Sequence, residues 1–482
     1  MENELLIGGA LHQVSLKLKY ANRHGLIAGA TGTGKTVTMQ VLAEGFSRSG
    51  VPVFMADVKG DLSGMSVAGK AHPKVDERVK AIGIQDFAFE AFPVRFWDLL
   101  GSQGIPVRST ISEMGPQLLS RLMDLNETQE SLLTLAFEFA DDEGLLMLDM
   151  KDLQTTLGFL SGGAKGLQAE YGSISKASIS AILRRLMMLE RDGGEIYFGE
   201  PALDLNDLLQ LDEQGRGVVN ILQAQKLIQH PRTYTSFLLW LLSELFENLP
   251  EVGDQDKPKM VFFFDEAHLL FRGVPKVFLE KVEQVVRLIR SKGVGVYFIS
   301  QSPGDIPDTV LSQLGNRIQH ALRAYTPKDR KAVRVAAQSF RSNPALDVEQ
   351  IIGELGVGEA LVSVLEAKGV PSMVQRTLIC PPGSRIGPIA EADCALQVKQ
   401  DRLLNKYETS VDRESAHEIL ELRAAKKLKQ QQNSRAKNTP KSRSGSRQTA
   451  GEAFLKSVVR SIGSGLGRRI VRGLLGSLLG GK

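Results

Sequence analysis

The hydrophobic positions near the start of the chain fall into short blocks separated by an amphipathic stretch. Residues 24–30 (HGLIAGA) form an apolar run that ends in glycines, and residues 51–58 (VPVFMADV) form a second apolar run. Between them, residues 35–48 carry apolar side chains at helical spacing, and Gly50 follows as a helix stop. The order strand, helix, strand predicts a βαβ unit and therefore a parallel sheet.

Further apolar blocks predict additional strands of this sheet. They lie at residues 92–99, 218–222, 260–266, 294–301, 320–325 and 360–365. The intervening residues 110–210 instead contain leucine- and methionine-rich stretches such as QLLSRLMDL and SISAILRRLMMLE. This change of pattern predicts a helical insertion that packs beside the sheet.

Membrane and secretion signals are weak in this sequence. The most apolar stretch, SFLLWLLSELF at residues 236–246, is too short to span a bilayer and contains a glutamate, so it predicts a buried helix. The start of the chain lacks the basic-then-apolar pattern of a signal peptide. Only two cysteines occur, Cys380 and Cys394, which argues against a disulfide framework. We therefore expect a cytoplasmic protein, with a peripheral position at the inner membrane as an alternative.

The charge is divided unevenly along the 482 residues. The net charge is +4, and residues 423–482 contain fifteen Lys and Arg against one acid, which gives that tail +14. The body therefore carries 4 − 14 = −10. An acidic body argues against a protein that coats nucleic acid over its whole surface, so any nucleic-acid contact by the body should be local.

The basic tail has two parts. Residues from about 424 are polar and basic, a composition that predicts disorder. This linker either binds phosphate backbones or is a solvated connection. The final stretch, AFLKSVVRSIGSGLGRRIVRGLLGSLLG, regains hydrophobicity at helical spacing among cations. Such a helix suits a partner protein, a neighbouring subunit or an anionic membrane surface, and we favour the first two.

Residues 29–36 match the phosphate-binding pattern G-x-x-x-x-G-K-T in full, between a predicted strand and a predicted helix. In this pattern backbone N–H groups curl around phosphate oxygens at the positive end of a helix. Lys35 would bridge the β- and γ-phosphates of a nucleotide, and the Thr36 hydroxyl would bind Mg²⁺. The predicted phosphate loop consists of Gly29, Ala30, Thr31, Gly32, Thr33, Gly34, Lys35 and Thr36.

The apolar block at residues 260–264 ends in Asp265 and Glu266, the pattern of a Walker B strand. Asp265 would hold the magnesium ion, and Glu266 would orient the attacking water as general base. An adjacent Asp-Glu pair favours an ATPase that hydrolyses ATP over a kinase; the alternative is a pair that caps a helix. A GTPase is disfavoured because the nearest match to N-K-x-D, at residues 405–408, ends in Glu.

Two further positions are candidates for nucleotide sensing. Gln301 ends the strand that follows the Walker B strand, where a neutral amide can donate to phosphate or to the attacking water; the alternative is a strand-end cap. The helix before that strand ends in Arg287, Arg290 and Lys292. In a ring, this cationic edge could supply an arginine finger to a neighbouring subunit, or these cations could simply complement the helix dipole.

Lys35 and Asp265 are 230 positions apart, which is a second indication of a large insertion. Within it, residues 161–176 (SGGAKGLQAEYGSISK) are glycine-rich, carry lysines and precede Arg184 and Arg185. This segment is either a loop that faces nucleic acid or a solvated connection.

Four stretches together resemble the HerA/FtsK superfamily of ring-forming ATPases, in particular bacterial HerA-like proteins of the YjgR type. They are HGLIAGATGTGKT, FMADVKGDLSG, VFFFDEAHLLF and IRSKGVGVYFISQSPGDIPDTVLSQLGNRIQHALRAYTPKD. Asp61 stands where the superfamily usually has Glu. The HerA proteins have a β-barrel before the phosphate loop, whereas only about 25 residues precede it here. The resemblance implies that Arg290 is the trans finger and that Arg317 or Arg323 is a cis sensor.

Together these observations predict an α/β, RecA-like P-loop NTPase with a mainly parallel sheet, a helical insertion and a disordered or amphipathic C-terminal tail. The predicted divisions are residues 1–108 and 216–400 for the ATPase core, 109–215 for the insertion and 401–482 for the C-terminal segment. With ATP and Mg²⁺ bound, we expect a homo-oligomeric, hexameric DNA translocase or helicase. The alternatives are a motor that acts on protein or at a membrane, and a nucleotide-gated scaffold.

Overall fold

The computed structural model describes residues 3–10, 12–162, 174–253, 255–271 and 276–437. Its centre is one twelve-stranded sheet with the order β2-β1-β12-β11-β10-β3-β9-β8-β4-β7-β5-β6. The strands are β1 (Glu4–Gly9), β2 (Gln13–Lys17), β3 (Gly25–Ala28), β4 (Val53–Asp57), β5 (Val94–Asp98), β6 (Ile105–Pro106), β7 (Val219–Gln223), β8 (Met260–Phe264), β9 (Val294–Ser300), β10 (Asn316–Gln319), β11 (Glu359–Ser363) and β12 (Gln375–Ile379).

The sheet is parallel from β10 across to β6. The strands β11, β12, β1 and β2 extend it as an antiparallel edge. The predicted mainly parallel α/β fold is therefore confirmed. The apolar blocks chosen from the sequence correspond to β3, β4, β5, β7, β8, β9 and β11.

The strand predicted at residues 320–325 is wrong. The strand in this region is β10, which ends at Gln319. Beyond it the backbone leaves the sheet, because the Ala321 carbonyl accepts from the Ala30 N–H (2.8 Å) and the Leu322 N–H donates to Ile352 (3.3 Å). In this block, the Ala321 backbone therefore contacts the phosphate loop, and Ala321 and Leu322 pack in the apolar cluster of a small side lobe.

The longer helices are α1 (Lys35–Arg48), α2 (Pro73–Ile82), α3 (Ile111–Leu122), α4 (Glu127–Asp142), α5 (Met150–Ser161), α6 (Lys176–Leu189), α7 (Pro231–Asn248), α8 (Lys276–Ile289), α9 (Pro327–Gln338), α10 (Val348–Glu354), α11 (Glu391–Gln400) and α12 (Ala416–Lys437). Short helical segments occupy Glu195–Tyr197, Leu205–Leu208, Asp308–Leu311 and Leu404–Tyr407. Helices α3 to α6 lie between β6 and β7, in the region of the predicted insertion. Helix α7 contains the apolar stretch at 236–246, and its residues from Thr233 to Leu242 are buried, as predicted.

Both faces of the parallel sheet are covered. Along β8, Phe262 and Phe264 pack into one apolar cluster, while Val261 and Phe263 pack into the other. The first cluster includes helices α3 to α8, and the second includes α1. A sheet buried on both faces explains why its strands are continuous apolar runs without polar alternation. Among the described helices, none combines the length and the apolar character needed to cross a bilayer.

The predicted disorder of the basic linker is wrong for its first part. Helix α12 continues to Lys437, and its Leu420 is buried in the first cluster. The helix begins against α5, where the His417 N–H donates to the Asp152 carboxylate (2.8 Å). Alanine, lysine, glutamine and leucine have high helix propensity, so this docked start can propagate through a basic sequence. The rest of the linker, the amphipathic C-terminal segment and residues 163–173 of the candidate nucleic-acid loop lie outside the described residues.

Candidate active site

The phosphate loop joins β3 to α1, as predicted. Helix α1 begins at Lys35, and Gly34 occupies its cap position at φ 111°, while Gly32 has φ 76°. Both values lie in the region where glycine is favoured. At Gly34 a Cβ would also lie 3.1 Å from the backbone nitrogen of Gly358. Glycine at the cap has no side chain to occupy the first-turn amides, which leaves those N–H groups directed at an anion.

Three neighbouring segments hold this loop in place. The Gly29 N–H donates to Ser300 at the end of β9 (3.2 Å), and the Ala30 N–H donates to Ala321 (2.8 Å). The Gly358 N–H in turn donates to the Thr33 carbonyl (3.0 Å). The Ala321 and Gly358 contacts were not predicted from the sequence, because backbone contacts across a sheet leave no residue-type pattern.

His320 is a second unpredicted support of the loop. Its Nε2 is hydrogen bonded to Thr38 Oγ1 and its Nδ1 to the Glu359 carbonyl, both at 2.8 Å. Burial lowers the pKa of His320 to about 4. The imidazole ring is therefore neutral at pH 7 and links α1 to β11 through these two hydrogen bonds.

Lys35 lies inside the loop. Its Nζ donates to the carbonyls of Gly29 (2.6 Å) and Ala30 (3.0 Å). Burial and, next, the positive charge of Lys59 lower the pKa of Lys35, while Glu266 and Asp265 oppose the shift. Its ammonium group is thus curled against the backbone that would surround the phosphates of a nucleotide.

Asp265 and Glu266 follow β8 directly. Asp265 is buried, and its Oδ1 accepts from the Glu266 N–H (2.9 Å). Glu266 adopts φ 49°, a left-handed conformation that costs roughly 1–2 kcal/mol in a residue with a side chain. Although Glu266 precedes the short helix 267–270, its carboxylate does not cap that helix. The strained backbone instead turns this side chain toward the turn after β4.

Lys59 is the residue that the sequence reasoning missed. Its Nζ lies 2.9 Å from Glu266 Oε1 and 3.5 Å from Asp265 Oδ2. Burial raises the pKa of Asp265, and the positive charge of Lys59 opposes this shift. Burial acts in the same direction on Glu266, but the hydrogen bond and charge of Lys59 outweigh it, so the pKa of Glu266 is lowered. Lys59 meets the Asp-Glu pair because β4 and β8 are parallel neighbours whose ends meet, and the turn sequence DVKGD alone does not reveal this adjacency.

The turn that carries Lys59 is rigid. The Asp57 carboxylate accepts from the N–H groups of Gly60 (2.6 Å), Asp61 (3.2 Å) and Leu62 (3.0 Å). Burial raises the pKa of Asp57 to about 6. These three hydrogen bonds fix the backbone of the turn, and so they fix the position from which Lys59 contacts Asp265 and Glu266.

The donor set on one side of the loop fits magnesium. The Thr36 hydroxyl lies close enough to the Asp61 carboxylate to lower its pKa, although burial raises that pKa overall, and the charges of Asp61 and Asp265 interact. Hydroxyl and carboxylate oxygens are the ligands that Mg²⁺ prefers. Within the described ranges, no group of three or more His, Cys, Asp or Glu side chains could hold a metal. Phosphate oxygens and water would therefore complete the coordination, which is the usual arrangement for this ion.

The sensor candidates occupy different places. Gln301 follows β9, which lies between β3 and β8, so its exposed side chain is at the same edge of the sheet as the phosphate loop. Arg290 precedes β9, and the seven residues of that strand separate it from this edge by about 20 Å. Within one chain, Arg290 is therefore not brought together with Lys35 and Glu266.

The two cis-sensor candidates also differ. The guanidinium of Arg317 donates to the carbonyls of Leu314 (3.1 Å), Ser339 (2.7 Å) and Leu311 (3.0 Å), which makes it a brace between short segments. Arg323 is exposed, donates to Gly353 (2.8 Å) and lies two residues beyond the Ala321 contact with the loop.

Replacing Lys59 with methionine should shift the acid limb of the pH–rate profile to higher pH. Without the ammonium group Glu266 loses the interactions that lower its pKa, so it is protonated at a higher pH. The measurement is kcat/KM for ATP hydrolysis between pH 3.5 and 8, because this ratio reports ionisations of the free enzyme, and the ionisation of free ATP is common to both proteins. Lys70→Met, on an exposed surface, is the control. An acid limb identical to that of the wild type would show that the Lys59–Glu266 pair does not set this ionisation.

Acid destabilisation should be weaker in a His320→Gln variant. The folded-state pKa of His320, about 4, is below the ordinary histidine pKa of 6.5, so its contribution to stability is present above pH 6.5 and is lost as pH falls toward 4. The slope of Tm against pH in this window should therefore be steeper for the wild type than for the variant. Exposed His12→Gln provides the matched control. Parallel curves for wild type and His320→Gln would contradict the assignment of a buried neutral ring.

Three features of this site identify the class of protein. A phosphate loop precedes a helix, an Asp-Glu pair ends a parallel strand, and a polar residue ends the strand between them. The protein is a P-loop ATPase of the RecA-like fold.

The particular family follows from comparison with known proteins. The chain belongs to the family described as helicase HerA-like C-terminal, which matches residues 3–482 and confirms the HerA-like resemblance. It is 29% identical over 168 residues to a protein of Methanocaldococcus jannaschii named probable helicase MJECL08; this covers 33% of the chain and 30% of that relative's length.

A solved structure shares this fold, and a second shows a weaker likeness. The bacterial conjugative coupling protein TrwB, in a trigonal form with sulphate, superposes with a TM-score of 0.50 and 15% identity over 80% of this chain and 92% of its own. VirB4 of Thermoanaerobacter pseudethanolicus gives a TM-score of 0.48 and 15% identity over 77% of this chain and 96% of its own.

Proposed function

We propose that the protein is an ATP-hydrolysing, ring-forming motor that translocates nucleic acid, with DNA as the favoured track. The observation that carries this proposal is the convergence of Lys35, Asp265, Glu266 and Gln301 at one edge of the sheet. Membership of a family described as helicase HerA-like and the helicase name of the archaeal relative support the choice of nucleic acid.

In this proposal the residues divide the work of hydrolysis. The loop amides and Lys35 bind the phosphates of ATP, and Thr36 and Asp265 would hold Mg²⁺, which neutralises charge on the phosphate oxygens. Glu266 accepts the proton of the attacking water, and Gln301 donates a hydrogen bond to the phosphate or to this water. Lys59 keeps Glu266 ionised, so that the base is ready before a water molecule is positioned.

The position of Arg290 favours an assembly. It lies at the sheet edge opposite its own phosphate loop. A contact between Arg290 and the phosphates of a bound nucleotide would therefore involve the nucleotide of another copy of the chain. In a closed head-to-tail ring, one face of each subunit meets the opposite face of its neighbour. We therefore propose a homo-oligomeric ring, with a hexamer favoured and Arg290 as the trans finger.

The proposal is tested by the steady-state ATPase rate with no polymer, single-stranded DNA, duplex DNA and RNA, at low and raised salt. We expect one form of nucleic acid to stimulate turnover and the stimulation to fade with salt, because phosphate contacts release counterions. A Glu266-dependent rate that no polymer changes would contradict a nucleic-acid motor. Nucleotide binding without turnover would instead indicate a nucleotide-gated scaffold.

A second candidate is a motor of the same fold that acts on protein or at a membrane surface. It is favoured by the fold shared with TrwB, a bacterial conjugative coupling protein. In this case the protein would be peripheral at the inner membrane through its C-terminal segment rather than freely cytoplasmic. Binding to anionic liposomes that is lost when residues 438–482 are deleted would support it; equal binding by the deleted form would not.

A further inference from the structure

Residues 322–357, between β10 and β11, form a small lobe that packs around a third apolar cluster. This β10–β11 lobe contains α9 and α10, and its apolar cluster is separate from the two that cover the sheet. The cluster consists of Ala321, Leu322, Val333, Ala336, Ile352, Leu355, Leu361 and Val374. Five of these residues belong to the lobe, while Leu361 belongs to β11, so the cluster packs the lobe against the antiparallel edge of the sheet.

Both ends of the lobe are bonded to the phosphate loop. At its start, the Ala321 carbonyl accepts from the Ala30 N–H (2.8 Å); at its end, the Gly358 N–H donates to the Thr33 carbonyl (3.0 Å). Arg78 strengthens the second attachment, since its Nη1 donates to the Gly358 carbonyl (2.7 Å). The loop that would bind the phosphates is therefore in direct backbone contact with both ends of the lobe.

The lobe is also a local basic surface on an acidic body. Residues 323–341 contain six Lys and Arg against one acid, which gives 6 − 1 = +5; the whole lobe, residues 322–357, contains six against four, or 6 − 4 = +2, in a body of net charge −10. Along α9, the side chains of Lys328, Arg330, Lys331 and Arg334 are exposed. Arg330, Lys331 and Arg334 line one shallow depression with Pro327, Val335 and Gln338.

Four acids of the lobe offset part of this charge, namely Asp329, Asp347, Glu349 and Glu354. Asp347 accepts from the Gln350 N–H (3.0 Å) and Glu354 from the Gln350 side-chain amide (2.8 Å), both within α10 and its cap. The Asp329 carboxylate accepts from the N–H groups of Tyr325 (3.2 Å) and Thr326 (2.8 Å), as part of the cap of α9. Glu349 of α10 lies 3.7 Å from Arg334, whose side chain is still 67% exposed. An exposed ion pair of this kind contributes about 0–1 kcal/mol, so a polyanion can displace it.

Tyr325 gives the surface a second kind of contact. It immediately precedes the cap of α9 and is 86% exposed, although large aromatic side chains are usually at least partly buried. Exposed aromatic rings beside cations are the combination by which proteins bind unpaired nucleic acid, with the ring stacked on a base and the cations on phosphates. A membrane surface or an acidic protein would use the cations but not the base-stacking geometry.

We propose that the β10–β11 lobe binds a single strand of nucleic acid, and that the phosphate loop couples this binding to the bound nucleotide. Tyr325 stacks on a base, while Lys328, Arg330, Lys331 and Arg334 contact the phosphates. The choice of ligand rests on the proposed function; the coupling rests on the two backbone attachments.

The test measures binding of fluorescein-labelled oligo(dT) and of a duplex of equal length by fluorescence anisotropy, using the full chain. The variants are Arg330→Gln/Lys331→Gln/Arg334→Gln and Tyr325→Ala. The control Lys70→Gln/Lys74→Gln/Lys80→Gln removes the same charge from another exposed surface. Each variant is first shown to have the same melting curve as the wild type. Binding is then measured from 50 to 300 mM salt, with ADP and with a non-hydrolysable ATP analogue.

For the triple variant of α9 we expect the slope of log K against log salt to fall by about 2, since each phosphate contact to a single strand contributes roughly 0.7. Tyr325→Ala should weaken binding of oligo(dT) about 5- to 100-fold and leave duplex binding unchanged. The control should bind like the wild type. The affinity of the wild type should differ between the two nucleotides.

The outcomes separate the two proposals. If the wild type binds nucleic acid and the α9 variant matches the control, the lobe is not the contact surface, and the proposed motor function is unaffected. If Tyr325→Ala weakens duplex and single strand equally, the stacking assignment is wrong. If the affinity is the same with both nucleotides, the coupling is wrong. A wild type that binds no nucleic acid at any salt would overturn both proposals.

Discussion

Replacing Glu266 with glutamine should abolish ATP turnover while leaving nucleotide binding close to that of the wild type. Glu266 lies beside the phosphate loop rather than within it, and its carboxylate is held ionised by Lys59 at 2.9 Å. Glutamine keeps the size of the side chain but cannot accept a proton from water, and loss of a positioned general base costs about 10²–10⁴-fold in rate. The measurements are kcat for ATP hydrolysis and Kd for ATP by calorimetry.

The matched control is Glu77→Gln, an exposed glutamate of α2. It should retain full turnover. A Glu266→Gln variant that hydrolyses ATP at more than about a tenth of the wild-type rate would show that another group activates the water.

Replacing Lys35 with methionine should instead remove nucleotide binding itself. Lys35 is the buried cation of the loop, in contact with Gly29 and Ala30. Methionine preserves the apolar stem and loses the charge. Hydrogen bonds to charged groups contribute about 1.5–3 kcal/mol each, so losing two to phosphate should weaken binding roughly 100-fold or more. The test is Kd for ATP and ADP by calorimetry.

Lys151→Met, at an exposed position on α5, controls for loss of one lysine. The two active-site variants should therefore differ in their defect: Glu266→Gln should bind ATP without hydrolysing it, whereas Lys35→Met should fail to bind ATP. If Lys35→Met bound ATP with the wild-type affinity, residues 29–36 would not be the nucleotide site.

The parts of the fold that were predicted correctly are those in which a local pattern has one physical explanation. Helix α1 spans residues 35–48 as predicted, because a glycine cap precedes it and apolar positions recur at helical spacing. Strands β8 and β9 were found because burial on both faces requires continuous apolar runs. The phosphate loop was found because only glycines allow its backbone conformation at Gly32 and Gly34.

The parts that were missed depend on contacts distant in sequence. The hairpin β1–β2 joins the sheet only through β12, more than 350 residues later. Lys59 has no distinctive local pattern, and its role follows only from the adjacency of β4 and β8. The ordered start of the basic linker depends on the docking of α12 against Asp152, which composition alone does not reveal.

The central claim is that ATP hydrolysis at this site drives movement along nucleic acid. The most direct measurement is displacement of a labelled triplex-forming oligonucleotide from duplex DNA, followed with time in the presence of ATP and Mg²⁺. We predict displacement by the wild type with ATP, and none with a non-hydrolysable analogue or with Glu266→Gln. Full ATPase activity on the same DNA without any displacement would contradict translocation.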